Sequence, residues 1–330
     1  MASGGQVRIA VDAMGGEGAP AVEVEGALGA VRESEGGVEV VLVGRKDALE
    51  AELAKHDRSG LPISIVHADE VISMDESPAT AIRRKRGASV VVAADLQARG
   101  EVDGLVSAGN TGAVVASSLF GLGMLSHVRR PAIASMFPTI DRPSVVLDVG
   151  ASIDSRPSDL LTFAAMGDAY ARYVLGRNEP RVGLMNIGEE STKGSELTQA
   201  AHKLLAASRL NFVGNIEGRS FLQGKADVVV TDGFVGNVML KLVEGVLDIL
   251  MSALKSPGNH GDFEMLKSQF DYAEYGGAPL LGVNGVVIIA HGSSSPKAIK
   301  NAVKVAAKFV ETDLGGKIVE RLSEVSVTNA

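Results

Sequence analysis

Short runs of β-branched and aliphatic residues recur along the chain at 7–12, 38–43, 63–66, 104–107, 145–148, 182–186, 226–231 and 286–290. Each has the length of a strand. Between them, 21–32, 47–56, 159–173, 195–207, 237–254 and 296–310 carry apolar residues at helical spacing. Most junctions contain Gly, Pro, Asp or Asn, the residues that turn a chain between such elements. This alternation predicts βαβ units and a three-layer α/β/α fold around a mostly parallel sheet. No repeat or Ser/Pro-rich linker interrupts it, so the whole of 1–330 reads as one domain, with two intertwined lobes equally open. A helical tip is expected around 246–275, where Pro257, Gly258, Asn259 and Gly261 separate apolar-rich stretches at 246–254 and 263–270. It reads either as a helical hairpin packed on its own core or on a second subunit, or as a protruding element that touches lipid or an acyl chain.

Composition sharpens the picture. Apolar residues make up 45% of the chain but aromatics only 4%, beside 39 glycines, so the core must be small aliphatic side chains at close approach. A net charge of −8 argues against a nucleic-acid partner. Without cysteine there is no disulfide, thiolate nucleophile or Cys-based zinc site, and a reducing compartment fits. The chain enters its first strand without a secretion signal, and 112–125, its longest nearly apolar stretch, is shorter than the roughly 20 residues of a spanning helix. A cytoplasmic location is expected. His56, His67, His127, His202 and His260 show no paired spacing, and neither a metal nor a cofactor is expected.

Chemistry concentrates just beyond strand ends, where ligands collect in open parallel sheets. Asp12-Ala13-Met14-Gly15-Gly16-Glu17-Gly18 offers a glycine turn with exposed N–H groups, without the spacing of a dinucleotide fingerprint. Ser107-Ala108-Gly109-Asn110-Thr111 leads into a helix start suited to an anion, although Asn110 equally fits a plain N-cap. Asn186 to Gly194 follows another strand. Asp232-Gly233-Phe234-Val235-Gly236-Asn237 follows a fourth, with Lys241 one helical turn beyond Asn237 on the same face. His291 ends a strand among Gly292 and Ser293, either as a hydrogen-bonded structural histidine or as a proton donor.

Taken together and in order, the segments 10–20, 74–86, 107–113, 147–151, 163–167, 186–194, 212–217, 227–244, 275–282 and 291–294 resemble the bacterial acyl-acyl carrier protein:phosphate acyltransferases nearly end to end. The resemblance implies transfer of a fatty acyl group from acyl carrier protein to inorganic phosphate, giving acyl phosphate for phospholipid synthesis. It also implies a cytoplasmic homodimer, transient peripheral membrane contact, and a fold similar to phosphotransacetylases and isopropylmalate dehydrogenases. One departure stands at Ser152, where the family usually has Asn after Leu-Asp-Val-Gly-Ala.

Phosphate is already nucleophilic near neutral pH and a thioester is already activated, so positioning and oxyanion stabilisation carry the chemistry. Phosphate binding is assigned to Gly15, Gly16, Asn110, Thr111, Asn237 and Lys241. Asn186, Lys193 and His291 are candidates for the oxyanion or for proton return to the thiolate, with Asp12 and Asp232 orienting them. Arg83, Arg84, Lys85 and Arg86 form the densest basic cluster and the expected dock for the acidic carrier. Two rival readings are a metal- and NAD-dependent hydroxyacid decarboxylase and a non-enzymatic membrane-peripheral scaffold.

Overall fold

The computed structural model describes residues 6–254 and 276–325, and the chain divides into two compact units, 1–124 with 272–315 and 125–271 with 316–330. Along the first unit run β1 (Val7–Asp12), α1 (Ala21–Glu33), β2 (Val38–Gly44), α2 (Lys46–Leu53), β3 (Ile63–His67), α3 (Pro78–Arg84), α4 (Ser89–Ala98), β4 (Gly104–Ser107) and α5 (Thr111–Gly121). The second unit supplies β5 (Ala132–Ile133), β6 (Ser135–Phe137), β7 (Ser144–Leu147), α6 (Pro157–Tyr173), β8 (Val182–Met185), α7 (Glu196–Ala206), β9 (Phe212–Ile216), α8 (Gly218–Leu222), β10 (Val228–Val230) and α9 (Gly233–Leu254). The chain then returns to the first unit with β11 (Ala278–Leu281), β12 (Val286–Ile289) and α10 (Pro296–Glu311), and α11 (Leu314–Val325) follows.

Strands of the first unit lie in the order β3-β2-β1-β4-β12-β11, parallel except β11. From β1 the chain steps outward to β2 and β3, then crosses back to place β4 on the other side of β1. With right-handed crossovers this reversal puts helices on both faces and opens a switch point between β1 and β4. Helices α1 and α10 pack together, as do α4 and α5. The second unit orders its strands β6-β7-β10-β8-β9, parallel except β6.

Both cores are built as the composition requires. Ile9, Leu28, Leu42, Leu49 and Leu105 are buried in the first unit, and Phe137, Leu147, Leu160, Phe163 and Leu184 in the second. Close approach replaces bulk: a β-carbon on Gly167 of α6 would run into Val228 Cγ1 and stand 2.8 Å from Leu147 Cδ1, so glycine brings that helix down onto β10 and β7.

All eight expected strands and all six expected helices are present; 7–12 and 104–107 keep their bounds and the others have shifted ends. The run expected at 145–148 stops at Leu147 because Asp148 turns its side chain back onto the backbone beyond it. Helix α4 escapes a periodicity search because it is buried nearly all round, leaving no polar stripe to set a phase. Strands β6, β9 and β11 were masked by their brevity, by Gly214 and Asn215, and by Pro279. Of the expected helical tip, 246–254 forms the end of α9, where Val246, Ile249 and Leu250 are exposed, and the remainder lies outside the described residues. Among the described residues no helix is long and apolar enough to cross a membrane.

Candidate active site

In the first unit, three neighbouring parallel strands, β1, β4 and β12, end together, and three polar loops open from them. Asp12 and Ser107 are register partners across the switch point. The Ser107 hydroxyl donates to Asp12 Oδ2 at 2.7 Å and accepts the Gly109 N–H at 3.1 Å, while Asp12 Oδ1 takes the Met14 N–H at 3.3 Å. Asp12 is buried, and burial raises its carboxyl above the ordinary range against the hydroxyls of Ser89 and Ser107. It sits beneath the glycine turn as a tether for loops. A β-carbon on Gly15 would lie 2.7 Å from both Asp12 Oδ2 and the Gly109 nitrogen, so the two loops interlock through glycine.

The His291 loop closes on the same turn, because Gly292 accepts the Glu17 N–H at 2.8 Å. Ser293 donates its backbone N–H to His291 Nδ1 at 3.2 Å, which assigns the proton of a neutral ring to Nε2. The exposed imidazole therefore presents an N–H donor. Thus Asp12, Gly15, Gly16, Asn110, Thr111 and His291 share one strand edge.

Asn110, expected to hold phosphate with its side chain, has both ends of its amide engaged. Its oxygen accepts the Ala113 N–H at 3.1 Å as the cap of α5, and its nitrogen donates to the carbonyls of Ser73, Met74 and Glu76 at 3.0–3.2 Å. It clamps the segment leading into α3. The anion-facing donors that remain there are the first N–H groups of α5 and the exposed Thr111. In the basic cluster, Lys85 turns inward, donating to Glu76 Oε1 at 2.6 Å and to the Val71 carbonyl at 2.8 Å. Of the four, Arg83, Arg84 and Arg86 are exposed.

The second unit gathers the other candidates at the ends of β7, β10 and β8. Asp232 caps α9, its Oδ1 accepting the N–H groups of Phe234 and Val235 at 3.0 Å each. Asn186 closes its own loop, accepting the Ile187 N–H at 2.8 Å and donating to the Lys193 carbonyl at 3.1 Å, and Lys193 is exposed. Asn237 is exposed beside Gly150. Lys241, expected to share a phosphate with Asn237, carries its ammonium instead to Glu244 at 2.8 Å, one turn further along the helix. So exposed a pair is worth only about 0.5 kcal/mol and leaves the lysine free to swing.

Two buried carboxyl groups lie outside the candidates read from the sequence, Asp148 and Glu23. Asp148 is buried and collects four backbone N–H groups, from Ile133, Gly150, Ala151 and Ser152, at 2.7–3.0 Å. An Asp-x-Gly just past a strand is the signal that would have found it. Ser152 is buried, with its hydroxyl donating to the Pro131 carbonyl at 3.3 Å, so its side chain faces inward rather than toward a ligand. Glu23 is buried on α1 below Gly16, on the same helical face as Ala27, Ala30 and Val31. A carboxylate on that apolar stripe is the anomaly its period would have revealed. Among the described residues no three His, Cys, Asp or Glu side chains gather as a metal site would need.

Strand-end loops rich in glycine and backbone donors, tied to a switch point, define an α/β protein of the phosphotransacetylase-like fold class. The solved structures agree at the level of fold: a phosphotransacetylase from Staphylococcus aureus superposes with a TM-score of 0.60 at 17% identity, covering 93% of this chain and 95% of that one. A branched-chain phosphotransacylase from Enterococcus faecalis gives 0.60 at 15% identity, covering 92% and 99%. Residues 7–317 match the family described as fatty acid synthesis protein, and the chain belongs to that family. Among its curated relatives, the phosphate acyltransferase of Desulforamulus reducens is 50% identical over 96% of this chain and 97% of its own. That of Pelobacter propionicus is 48% identical over 96% and 95%.

Proposed function

We propose that this protein transfers a fatty acyl group from acyl carrier protein to inorganic phosphate in the cytoplasm, as a homodimer in transient contact with the membrane that consumes its product. Acyl transfer to phosphate in fatty acid and phospholipid synthesis follows from the family. The carrier as donor, the dimer and the membrane contact are our reading. The observation that supports it best is the convergence of the Gly15-Gly16 turn, the α5 N-terminus and His291 on one switch point.

Hydrogen phosphate attacks the thioester carbonyl through oxygen, and the carbonyl becomes a tetrahedral oxyanion held by preorganised donors. Collapse breaks the C–S bond. The proton that hydrogen phosphate loses ends on the thiolate sulfur, with His291 Nε2–H assigned as a hydrogen-bond donor to that sulfur as it leaves, so charge and atoms balance. No side-chain nucleophile is needed. The second unit carries its own candidate donors for an oxyanion and for phosphate, Lys193 exposed on its loop and Asn237 with Lys241 on α9. Arg83, Arg84 and Arg86 suit an acidic carrier.

The test mixes purified protein, acyl carrier thioester and phosphate. Free thiol and acyl phosphate should appear in equal amounts, and neither without phosphate. Thiol release independent of phosphate, or none at all, removes the reading.

A further inference from the structure

The second unit carries an unusual rim. Strand β10 lies between β7 and β8, parallel to both, with Val230 opposite Leu147 on one side and Leu184 on the other. Neighbouring strands stand about 4.8 Å apart, so the three loops leaving them open within roughly 10 Å of one another at their roots. Each loop places a large apolar side chain in the open just beyond its polar groups. Ile153 follows Ser152 and is 79% exposed, Phe234 follows Gly233 and is 63% exposed, and Ile187 follows Asn186 and is 82% exposed.

Their positions are held rather than incidental. Gly233 donates its N–H to the Ser152 carbonyl at 3.1 Å, which ties the Phe234 loop to the Ile153 loop. A β-carbon on Gly233 would lie 2.6 Å from Asp148 Oδ2, so the contact admits no side chain. Asp148 in turn fixes the Ile153 loop through the Ser152 N–H at 2.7 Å, and Asp232 fixes Phe234 through its own N–H. Ile187 is held by Asn186 Oδ1. Buried Asp148 and the half-buried Asp232 and Asn186 thus hold three loops whose apolar side chains stand in solvent, at the strand edge that also carries Lys193 and Asn237.

Phosphate has no use for such a rim, and neither has a small polar substrate. Apolar surface held open beside the donors proposed for the carbonyl and phosphate suits the hydrocarbon chain of the same acyl donor, at about 0.8 kcal/mol for each methylene removed from water. We infer that Ile153, Ile187 and Phe234 form the subsite for the hydrocarbon chain of the acyl donor and set its preference for long chains. The inference rests on the acyl transfer proposed above. The chain's first methylenes lie on this rim while the carbonyl meets the polar groups behind it.

The experiment compares hexadecanoyl and butanoyl thioesters of the carrier with the unaltered protein and with Ile153→Ser, Ile187→Ser and Phe234→Ser. Removing contact with about two methylenes should lower the ratio of long-chain to short-chain kcat/KM about tenfold in each variant, mainly through the long-chain KM. Phe234→Leu and Ile187→Leu should restore most of the ratio, which a loop merely misfolded by a polar residue would not explain. An unchanged ratio overturns the subsite, whether or not the variants lose sedimentation with phospholipid vesicles. Equal losses with both donors also overturn it. If the unaltered protein releases thiol from neither donor, the acyl-transfer reading itself fails and takes the subsite with it.

Discussion

Glu23 Oε1 fills the space that a β-carbon on Gly16 would need, so a buried carboxyl stands directly behind the glycine turn. Its second oxygen, Oε2, is buried without a hydrogen-bond partner. Burial, reinforced by the neighbouring Asp12 carboxylate, pushes Glu23 up to about 7.

That shift ties stability to pH. The folded protein holds the Glu23 proton in a window where the unfolded chain has released it, so this contribution is complete in acid and lost as pH rises through about 7. Glu23→Gln should therefore stabilise the protein above neutrality, by on the order of 3 kcal/mol at most, with little effect near pH 5. Urea unfolding of both proteins across pH checks this; parallel stability curves would refute it.

The same contact predicts a rescue. Gly16→Ala should destabilise by about 1–3 kcal/mol because the new methyl meets Glu23. Adding Glu23→Ala should recover most of the loss, whereas Gly15→Ala, which meets the Gly109 backbone, should find no such partner. Thermal melts of the single and double variants read the coupling.

Asn110 holds a helix cap and three carbonyls at once. Asn110→Ala should cost about 2 kcal/mol, and Asn110→Asp nearly as much, since Asp keeps the cap but loses every donor to the 73–76 segment. Equal stability of the Asp variant and the unaltered protein would show that the clamp is idle.

Asp148→Asn presents a donor where the Ser152 N–H arrives at 2.7 Å and should cost about 2–4 kcal/mol despite its near-identical shape. Chemical denaturation measures it directly.

Lys241→Ala breaks an exposed pair with Glu244, so its melting temperature should stay put while the KM for phosphate rises several-fold. Arg84→Glu should raise the KM for the carrier thioester at low salt, and high salt should erase the difference. Unchanged KM values would remove these side chains from binding.

Local pattern determined much of this protein. Strands at 7–12 and 104–107, the helix at 296–310 and the loops beyond them follow from period and turn chemistry, because residues that set them are neighbours in sequence. Tertiary structure decided what each loop's polar groups do. Asn110 looks equally like an anion ligand and a cap until the carbonyls of Ser73, Met74 and Glu76, more than thirty positions away, arrive at its amide. Lys85 looks like a free cation until Glu76 and Val71 fold against it. The division into two units, each drawn from separate stretches of chain, also belongs to tertiary structure. A donor's availability depends on which distant acceptors reach it, and hydrophobic period records only which side of an element faces inward.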